Sequence, residues 1–115
     1  MIIYGDGSFG LNDFEFDTAV RFGPPIVGVV GNDAAWGQMM RPQAMIYGED
    51  PLVATELRAT RSDKVVEALG GHGEHVTQPH EIRGAIERAF ASGKPALVNV
   101  EMRKDVGAIK GSTYV

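Results

Sequence analysis

The chain has 115 residues, a formal net charge of −4 and no cysteine. That length suits one compact domain with a real core, and the absence of cysteine excludes disulfides, thiolate metal sites and a cysteine nucleophile. The acidic balance disfavours a nucleic-acid surface. Because the sequence contains neither an apolar run of membrane-spanning length nor a signal-peptide pattern, we expect a cytoplasmic protein that binds neither membrane nor nucleic acid.

The first elements are a strand and a helix. An apolar run predicts a short buried strand over residues 1–4, which stops at Gly5. Asn12 and Glu15 have the spacing of a capping box, which predicts a helix over 13–22. Because the sequence opens directly on a strand pattern, we expect the chain to start inside a larger fold.

The middle of the chain contains a second strand and a less regular segment. An almost continuous apolar run bounded by glycine predicts a fully buried strand over 26–30. Segment 39–57 is rich in Met, Gln and Pro and predicts a short helix followed by a long loop. Ser62 is predicted to cap a helix that closes at Gly70, and 74–76 is a candidate short strand.

The last third contains the clearest helix, 80–92, whose apolar residues recur at helical spacing before Gly93. A last buried strand is predicted over 96–100, and 103–115 has the composition of a polar tail. Strands that alternate with helices predict an α/β fold, with a parallel sheet and helices on both faces. We therefore predict a single domain over 1–115.

Two glycine-containing turns follow the first two predicted strands. Asp6 lies in the first turn, GDG, and Asn32 lies with Asp33 in the second, GND. Ligands of parallel α/β sheets bind beyond the carboxyl ends of the strands. If the two strands are neighbours, the two turns lie on the same edge of the sheet.

The first turn admits more than one interpretation. Its sequence, GDGSFG, has the G-x-G-x-x-G pattern of a dinucleotide-binding turn, and Asp33 follows at a distance suited to a ribose contact. Asp6, however, would place a carboxylate beside the phosphates with nothing to neutralise it. A divalent cation removes that objection, because Mg²⁺ prefers oxygen ligands such as a carboxylate, an amide oxygen and a backbone carbonyl. Backbone N–H groups near Gly7 and Ser8 could bind phosphate oxygens directly.

The motifs also carry a family resemblance. The order GDGSFG…EFDTAVR, VVGNDAAWGQMMRPQ and, near the end, GSTYV resembles the diphosphate-binding motif of thiamine-diphosphate-dependent enzymes, in particular acetolactate synthase-like and 2-hydroxyacyl-CoA lyase proteins. The likeness extends over nearly the whole chain. It implies the C-terminal portion of a thiamine-diphosphate-binding fold, and carbon–carbon bond formation or cleavage at an α-keto or 2-hydroxyacyl carbon as the parent activity.

The resemblance implies roles for individual residues and assigns none as catalytic. Asp6, Asn32 and the backbone carbonyl of Ala34 would bind Mg²⁺. Trp36 and Met39 would lie in the wall near the cofactor and substrate. The residues that the resemblance places around thiamine diphosphate are Gly5, Gly7, Ser8, Ala34, Ala35 and Gln38.

The resemblance also implies partners. In the family, an upstream strand and helix help to hold the cofactor, and a pyrimidine-binding domain of a neighbouring subunit carries the activating glutamate. We therefore expect the isolated chain to be inactive and to form homo-oligomers through uncovered apolar faces. A non-catalytic free-standing α/β module and a Rossmann-like dinucleotide binder remain as alternatives. His72, His75 and His80 lack metal spacing and are expected in surface or loop positions.

Overall fold

The computed structural model describes residues 1–48 and 53–104. Within these ranges the strands are β1 (Ile2–Gly5), β2 (Val27–Asn32), β3 (His72–Val76) and β4 (Ala96–Glu101). The helices are α1 (Asp6–Gly10), α2 (Glu15–Phe22), α3 (Gly37–Tyr47), α4 (Ser62–Ala68) and α5 (Ile82–Ala91), with a 3₁₀ turn at Pro79–Glu81. The strands form one sheet in the order β1-β2-β4-β3, and every neighbouring pair is parallel.

The core lies on both faces of this sheet, because side chains alternate between the two faces along each strand. The face against α5 buries Val27, Val76, Ala85, Ala89, Ala96 and Val98. The opposite face, against α1, α2 and α4, buries Phe9, Phe16, Val30, Val66 and Leu97. The predicted α/β fold, a parallel sheet with helices on both faces, is therefore confirmed.

The first strand is less buried than its composition predicts. β1 pairs only with β2, so it lies at the edge of the described sheet, and the side chain of Ile3 is 75% exposed. The prediction of a buried strand over 1–4 is wrong in this respect. An apolar run predicts a strand but does not distinguish an edge position from a central one.

The segment after β1 departs furthest from prediction. α1 begins at Asp6 directly after the strand, and α2 begins only at Glu15, with Phe14 as its N-cap and no side-chain cap. Asn12 instead accepts a hydrogen bond from the N–H of Glu15 through its backbone carbonyl, at 3.0 Å. The predicted capping box is wrong because the glycine-rich turn forms a short helix of its own, which moves the next helix start beyond Asn12.

Three further boundaries need correction. α3 is eleven residues long, begins before Met39 and contains Pro42, so the predicted short helix is present but longer at its start. Arg61, not Ser62, is the N-cap of α4, and it makes no side-chain cap bond. β3 begins two residues earlier than predicted, at His72.

The C-terminal part has the predicted helix and strand, although α5 begins two residues later than predicted and ends one residue earlier. α5 follows a 3₁₀ turn in which the carboxylate of Glu81 accepts hydrogen bonds from the N–H groups of Thr77 and Gln78, at 3.3 and 3.1 Å. β4 ends one residue beyond its predicted end, at Glu101. Residues 105–115 of the predicted polar tail lie outside the described residues. The GSTYV motif is part of this range. The helices within 1–48 and 53–104 are all too short or too polar to cross a membrane.

Candidate functional site

The two predicted turns lie side by side at the carboxyl edge of the sheet. Gly5 of β1 pairs with Gly31 of β2, so Asp6 and Asn32 each follow one member of a paired position on neighbouring parallel strands. The expectation that both turns lie on one edge is confirmed. This edge is where open parallel α/β sheets bind their ligands.

Two consecutive backbone N–H groups of the second turn donate hydrogen bonds, one to the first turn and one within the second. The N–H of Ala35 donates to Oδ2 of Asp6, and the N–H of Ala34 donates to Oδ1 of Asn32, both at 3.2 Å. Ala34 has a φ of +54°, a left-handed conformation of the kind that turns successive N–H groups toward one concave side. The two N–H groups belong to adjacent peptide groups. The carboxylate of Asp6 and the amide oxygen of Asn32, which accept from them, therefore converge on one turn.

The half-buried carboxylate of Asp6 is held in an environment that disfavours its charge. Burial raises its pKa above the ordinary aspartate range, and the nearby charge of Asp33 raises the pKa further. Hydrogen bonds from the N–H groups of Gly7, at 2.9 Å, and Ala35 oppose both effects. A cation beside Asp6 would favour the ionised form instead.

The segment 55–57 fixes the second turn from outside. The N–H of Leu57 donates to the carbonyl of Ala34, and the N–H of Trp36 donates to the carbonyl of Thr55, both at 2.8 Å. The carbonyl of Ala34 already accepts one hydrogen bond, and its second lone pair remains for another partner. This support comes from a segment that the sequence predicted only as a long loop.

The amide of Asn32 is anchored in a buried polar network that sequence reasoning missed. Its Nδ2 donates to the carbonyl of Thr60 at 3.0 Å and to Oδ1 of Asn99 at 3.2 Å. Asn99 in turn donates to Asp63, which Arg61 holds through two hydrogen bonds of 2.9 and 2.6 Å. The sequence contained one signal for this network, since Asn99 is a lone amide inside the apolar run ALVNV.

The charge of Asp63 is stabilised although its side chain is only 1% exposed. Burial alone would raise the pKa of Asp63, but the hydrogen bonds from Arg61 and Asn99 outweigh it and hold that pKa below its usual range. Asp63 therefore remains a carboxylate that only accepts hydrogen bonds.

Two clefts share Asp6, Gly7 and Trp36 in their walls. One has a volume of about 270 Å³, and the predicted site residues that line it are Gly5, Asp6, Gly7, Ser8, Ala35, Trp36 and Gln38. The other, of about 370 Å³, is lined by Asn32 and by Thr60, among others. The structure thus brings most of the predicted set together. Ala34 and Met39 line neither of these clefts within the described ranges.

Two of the three histidines are placed differently from expectation. His72 and His75 lie in β3 rather than in loops, and both are half-buried. Each contacts a carboxylate through Nε2 at 2.9 Å: His72 contacts Glu74, and His75 contacts Glu101. His80 is exposed, as predicted. Among residues 1–48 and 53–104, no cluster of three His, Asp or Glu side chains could hold a metal ion.

The fold and the edge site are those of a ligand-binding parallel α/β domain. The family described as thiamine pyrophosphate enzyme, C-terminal TPP binding domain, matches residues 1–100. Thiamine pyrophosphate is thiamine diphosphate. The chain belongs to this family.

Individual relatives agree with this assignment. The chain is 52% identical over 101 residues to a probable acetolactate synthase of Mycobacterium bovis, covering 87% of this chain and 18% of that protein. It is 40% identical over 109 residues to a 2-hydroxyacyl-CoA lyase 2 of Caenorhabditis elegans, covering 90% and 17%. The chain therefore spans less than a fifth of the length of either relative.

A solved structure shows the same fold. The benzoylformate decarboxylase of Polynucleobacter necessarius superposes with a TM-score of 0.81 at 18% sequence identity, over 94% of this chain and 20% of that one. The expected resemblance to thiamine-diphosphate enzymes, and to acetolactate synthase and 2-hydroxyacyl-CoA lyase in particular, is confirmed by the family match and the curated relatives.

Proposed function

We propose that this chain anchors thiamine diphosphate through Mg²⁺ in an acetolactate synthase-like or 2-hydroxyacyl-CoA lyase enzyme. The observation that carries the proposal is the convergence of Oδ2 of Asp6 and Oδ1 of Asn32 on the consecutive N–H groups of Ala34 and Ala35. The membership of the chain in a thiamine pyrophosphate-binding family supports the choice of cofactor.

The donor set suits Mg²⁺. Asp6 supplies a charged oxygen, and Asn32 and the carbonyl of Ala34 supply neutral ones. All three are hard oxygen ligands, and Mg²⁺ at such sites is completed by phosphate oxygens and water. The carboxylate oxygens of Asp6 and the carbonyl of Ala34 each accept one hydrogen bond within the protein, which leaves lone pairs for a metal.

The residues around the metal would hold the remainder of the cofactor. Gly5, Gly7 and Ser8 line the cleft beside Asp6, and Ala35 and Gln38 line it from the second turn. We assign the diphosphate to this cleft, with backbone N–H groups near Ser8 as donors. The N–H of Gly7 donates to Asp6 in the described structure, so its direct contact with a phosphate remains a prediction.

Thiamine diphosphate supplies the carbanion chemistry when bound, while the protein orients it. Carbon–carbon bond formation or cleavage at an α-keto or 2-hydroxyacyl carbon is the activity we propose for the whole enzyme, because its named relatives are an acetolactate synthase and 2-hydroxyacyl-CoA lyases. This chain spans 18% of the first of these. We therefore propose that the upstream part and a pyrimidine-binding domain complete the site, and that the isolated chain is inactive.

Thermal unfolding with a matrix of ligands tests the anchor. The chain is unfolded with Mg²⁺ and thiamine diphosphate together, with thiamine diphosphate and EDTA, with Mg²⁺ alone, and with Mg²⁺ and NAD⁺. A ligand at 100 times its Kd stabilises the folded state by about 2.7 kcal/mol, and we expect this stabilisation only with the first mixture. Stabilisation only by the mixture that contains NAD⁺ would support a dinucleotide binder, and a folded chain that no mixture stabilises would support the non-binding module.

A further inference from the structure

Asn99 is a buried polar side chain in β4, one of the two central strands of the sheet. It is 1% exposed, and the preceding residues Leu97 and Val98 are fully buried and apolar. A buried amide costs free energy unless its polar atoms are hydrogen-bonded. Those of Asn99 are: its Oδ1 accepts from Asn32 at 3.2 Å, and its Nδ2 donates to the carbonyl of Thr60 at 3.3 Å and to Oδ1 of Asp63 at 3.2 Å.

These contacts determine which way the amide of Asn99 points. The Thr60 carbonyl and the Asp63 carboxylate only accept hydrogen bonds, so they require the NH₂ group of Asn99 on their side. A flipped amide would set its oxygen against both of these acceptors. The carboxylate is itself held by the guanidinium of Arg61, at 2.9 and 2.6 Å.

With Asn99 oriented, the amide of Asn32 has only one favourable orientation. The Nδ2 of Asn32 uses its two hydrogens on the Thr60 carbonyl and on Oδ1 of Asn99, at 3.0 and 3.2 Å. Its Oδ1 must then face the other way, where it accepts from the N–H of Ala34. A flip of Asn32 would replace two donor–acceptor contacts by two acceptor–acceptor contacts in a buried site.

We propose that Asn99 is the positioning residue that presents Oδ1 of Asn32 to the metal. Asp63 and Arg61 act one step further back, because they set the orientation of Asn99. The consequence for metal affinity rests on the proposed function, whereas the orientation of the Asn32 amide does not. Residues that orient a metal ligand in this way typically contribute about 10–100-fold to metal affinity.

The orientation is tested without any metal. In the ¹⁵N-labelled chain, the side-chain NH₂ of Asn32 is followed by hydrogen exchange, with its signals assigned by their loss in Asn32→Ser. We expect slow exchange in the wild type, because both hydrogens are bonded inside the protein, and fast exchange in Asn99→Leu. Wild-type exchange as fast as that of a solvent-exposed amide overturns the proposal even if Asn99→Leu does not fold, and slow exchange at Asn32 in a folded Asn99→Leu variant overturns it as well.

The consequence for the metal is tested with Mn²⁺ in place of Mg²⁺, titrated in the presence of thiamine diphosphate and followed by the EPR signal of the free ion. We expect Asn99→Leu to weaken Mn²⁺ binding by about 10–100-fold. Val98→Ala is the matched control, because Val98 is buried on the same strand but belongs to the cluster on the opposite face. Equal weakening in Val98→Ala would show that lost stability causes the effect, and would overturn the role of Asn99.

A conservative variant at Asp63 separates the effect of the orientation of Asn99 on Mn²⁺ affinity from the effect of the charge of Asp63. In Asp63→Asn, the new amide oxygen can still accept from Asn99, so we expect slow exchange at Asn32 and Mn²⁺ affinity close to that of the wild type. Weakening as large as in Asn99→Leu would assign the effect to the charge of Asp63 and overturn the proposal. A folded wild type that binds no Mn²⁺ would overturn the proposed function instead, and the exchange comparison would then decide the orientation alone.

Discussion

The indole of Trp36 occupies the space where a side chain on Gly7 would begin. An ideal Cβ on Gly7 would lie 2.8 Å from Cε3 and 2.9 Å from Cδ2 of Trp36. The second glycine of the GDG turn is therefore required by a close approach between α1 and the residue that caps α3, and not by a positive φ. Both residues line the two clefts that meet at Asp6.

The first prediction concerns this contact. Gly7→Ala forces the ring of Trp36 to move, and overpacking of this kind costs about 1–3 kcal/mol of unfolding free energy. Gly10→Ala is the matched control, because it lies in the same short helix with nothing within 4 Å of its Cβ, and alanine is the better helix former. Urea denaturation of both variants measures the difference, and equal effects in the two would refute the role assigned to Trp36.

The second prediction is that Asp6 lowers the stability of the ligand-free protein. Its pKa is raised on folding, chiefly by burial and also by Asp33, so the folded state binds its proton more tightly than the unfolded state does. The stability linked to this proton is present at low pH and is lost as the pH rises through the raised pKa. Asp6→Asn resembles the protonated form, and we expect it to be more stable than the wild type at pH 7 without Mg²⁺.

The difference in stability between Asp6→Asn and the wild type should shrink as the pH is lowered toward 4. It should reverse in the presence of Mg²⁺ and thiamine diphosphate, because Asp6→Asn lacks the charged oxygen that we propose as a metal ligand. Asp17→Asn is the control. Asp17 forms an exposed ion pair with Arg21 at 2.8 Å, and such pairs contribute at most about 1 kcal/mol. An Asp6→Asn variant that is less stable than the wild type at pH 7 without the metal would contradict this prediction.

The third prediction concerns Arg61, which holds the buried carboxylate of Asp63. Arg61→Met leaves that carboxylate with fewer donors, and we expect a loss of about 1–3 kcal/mol at pH 7. Because the pKa of Asp63 is lowered on folding, its stabilising contribution is present at neutral pH and is lost as the pH falls through the lowered pKa. The difference between variant and wild type should therefore decrease in acid.

Lys64→Met provides the comparison for Arg61→Met on the same helix. Lys64 pairs with Glu67 at 2.7 Å on an exposed surface, and we expect a change below about 1 kcal/mol. Chemical denaturation at several pH values measures both variants. A loss at Arg61 no larger than that at Lys64 would show that the buried network contributes little to stability.

The fourth prediction is self-association of the isolated chain. Several large apolar side chains are exposed among the described residues, and the most exposed are Ile3, Phe14, Phe22, Met45, Ile46 and Tyr47. Exposed apolar patches favour association, so we expect light scattering to give a dimer or larger species. We expect Met45→Lys with Ile46→Glu on α3 to shift the chain toward the monomer, and a monomeric wild type at high concentration would refute the prediction.

The fold class and the position of the site followed from local patterns. The apolar run before Gly31 and the alternation of strands and helices were sufficient to predict a parallel sheet, and the polar residues Asp6 and Asn32 then had to lie at its carboxyl edge. The helix inside GDGSFG was missed because three glycines in six residues predict a turn rather than a helix.

The buried network could not be predicted because its members are distant in sequence. Asn32, Asn99 and Asp63 come from β2, β4 and α4, and no periodicity connects them. An aspartate in the first turn of a helix, as Asp63 is, is a common helix-start residue that the sequence would place on the surface. Its burial becomes visible only when Arg61 and Asn99 are placed around it.

Isothermal titration calorimetry tests the central claim most directly. Thiamine diphosphate is titrated into the folded wild-type chain with excess Mg²⁺, and then with EDTA, and both titrations are repeated with Asp6→Asn and with Asp33→Asn. We predict binding that requires Mg²⁺, that Asp6→Asn abolishes and that Asp33→Asn retains, because Asp33 is not a proposed ligand. Binding of equal strength in EDTA, or equal binding by the wild type and Asp6→Asn, would contradict a magnesium–diphosphate anchor at Asp6.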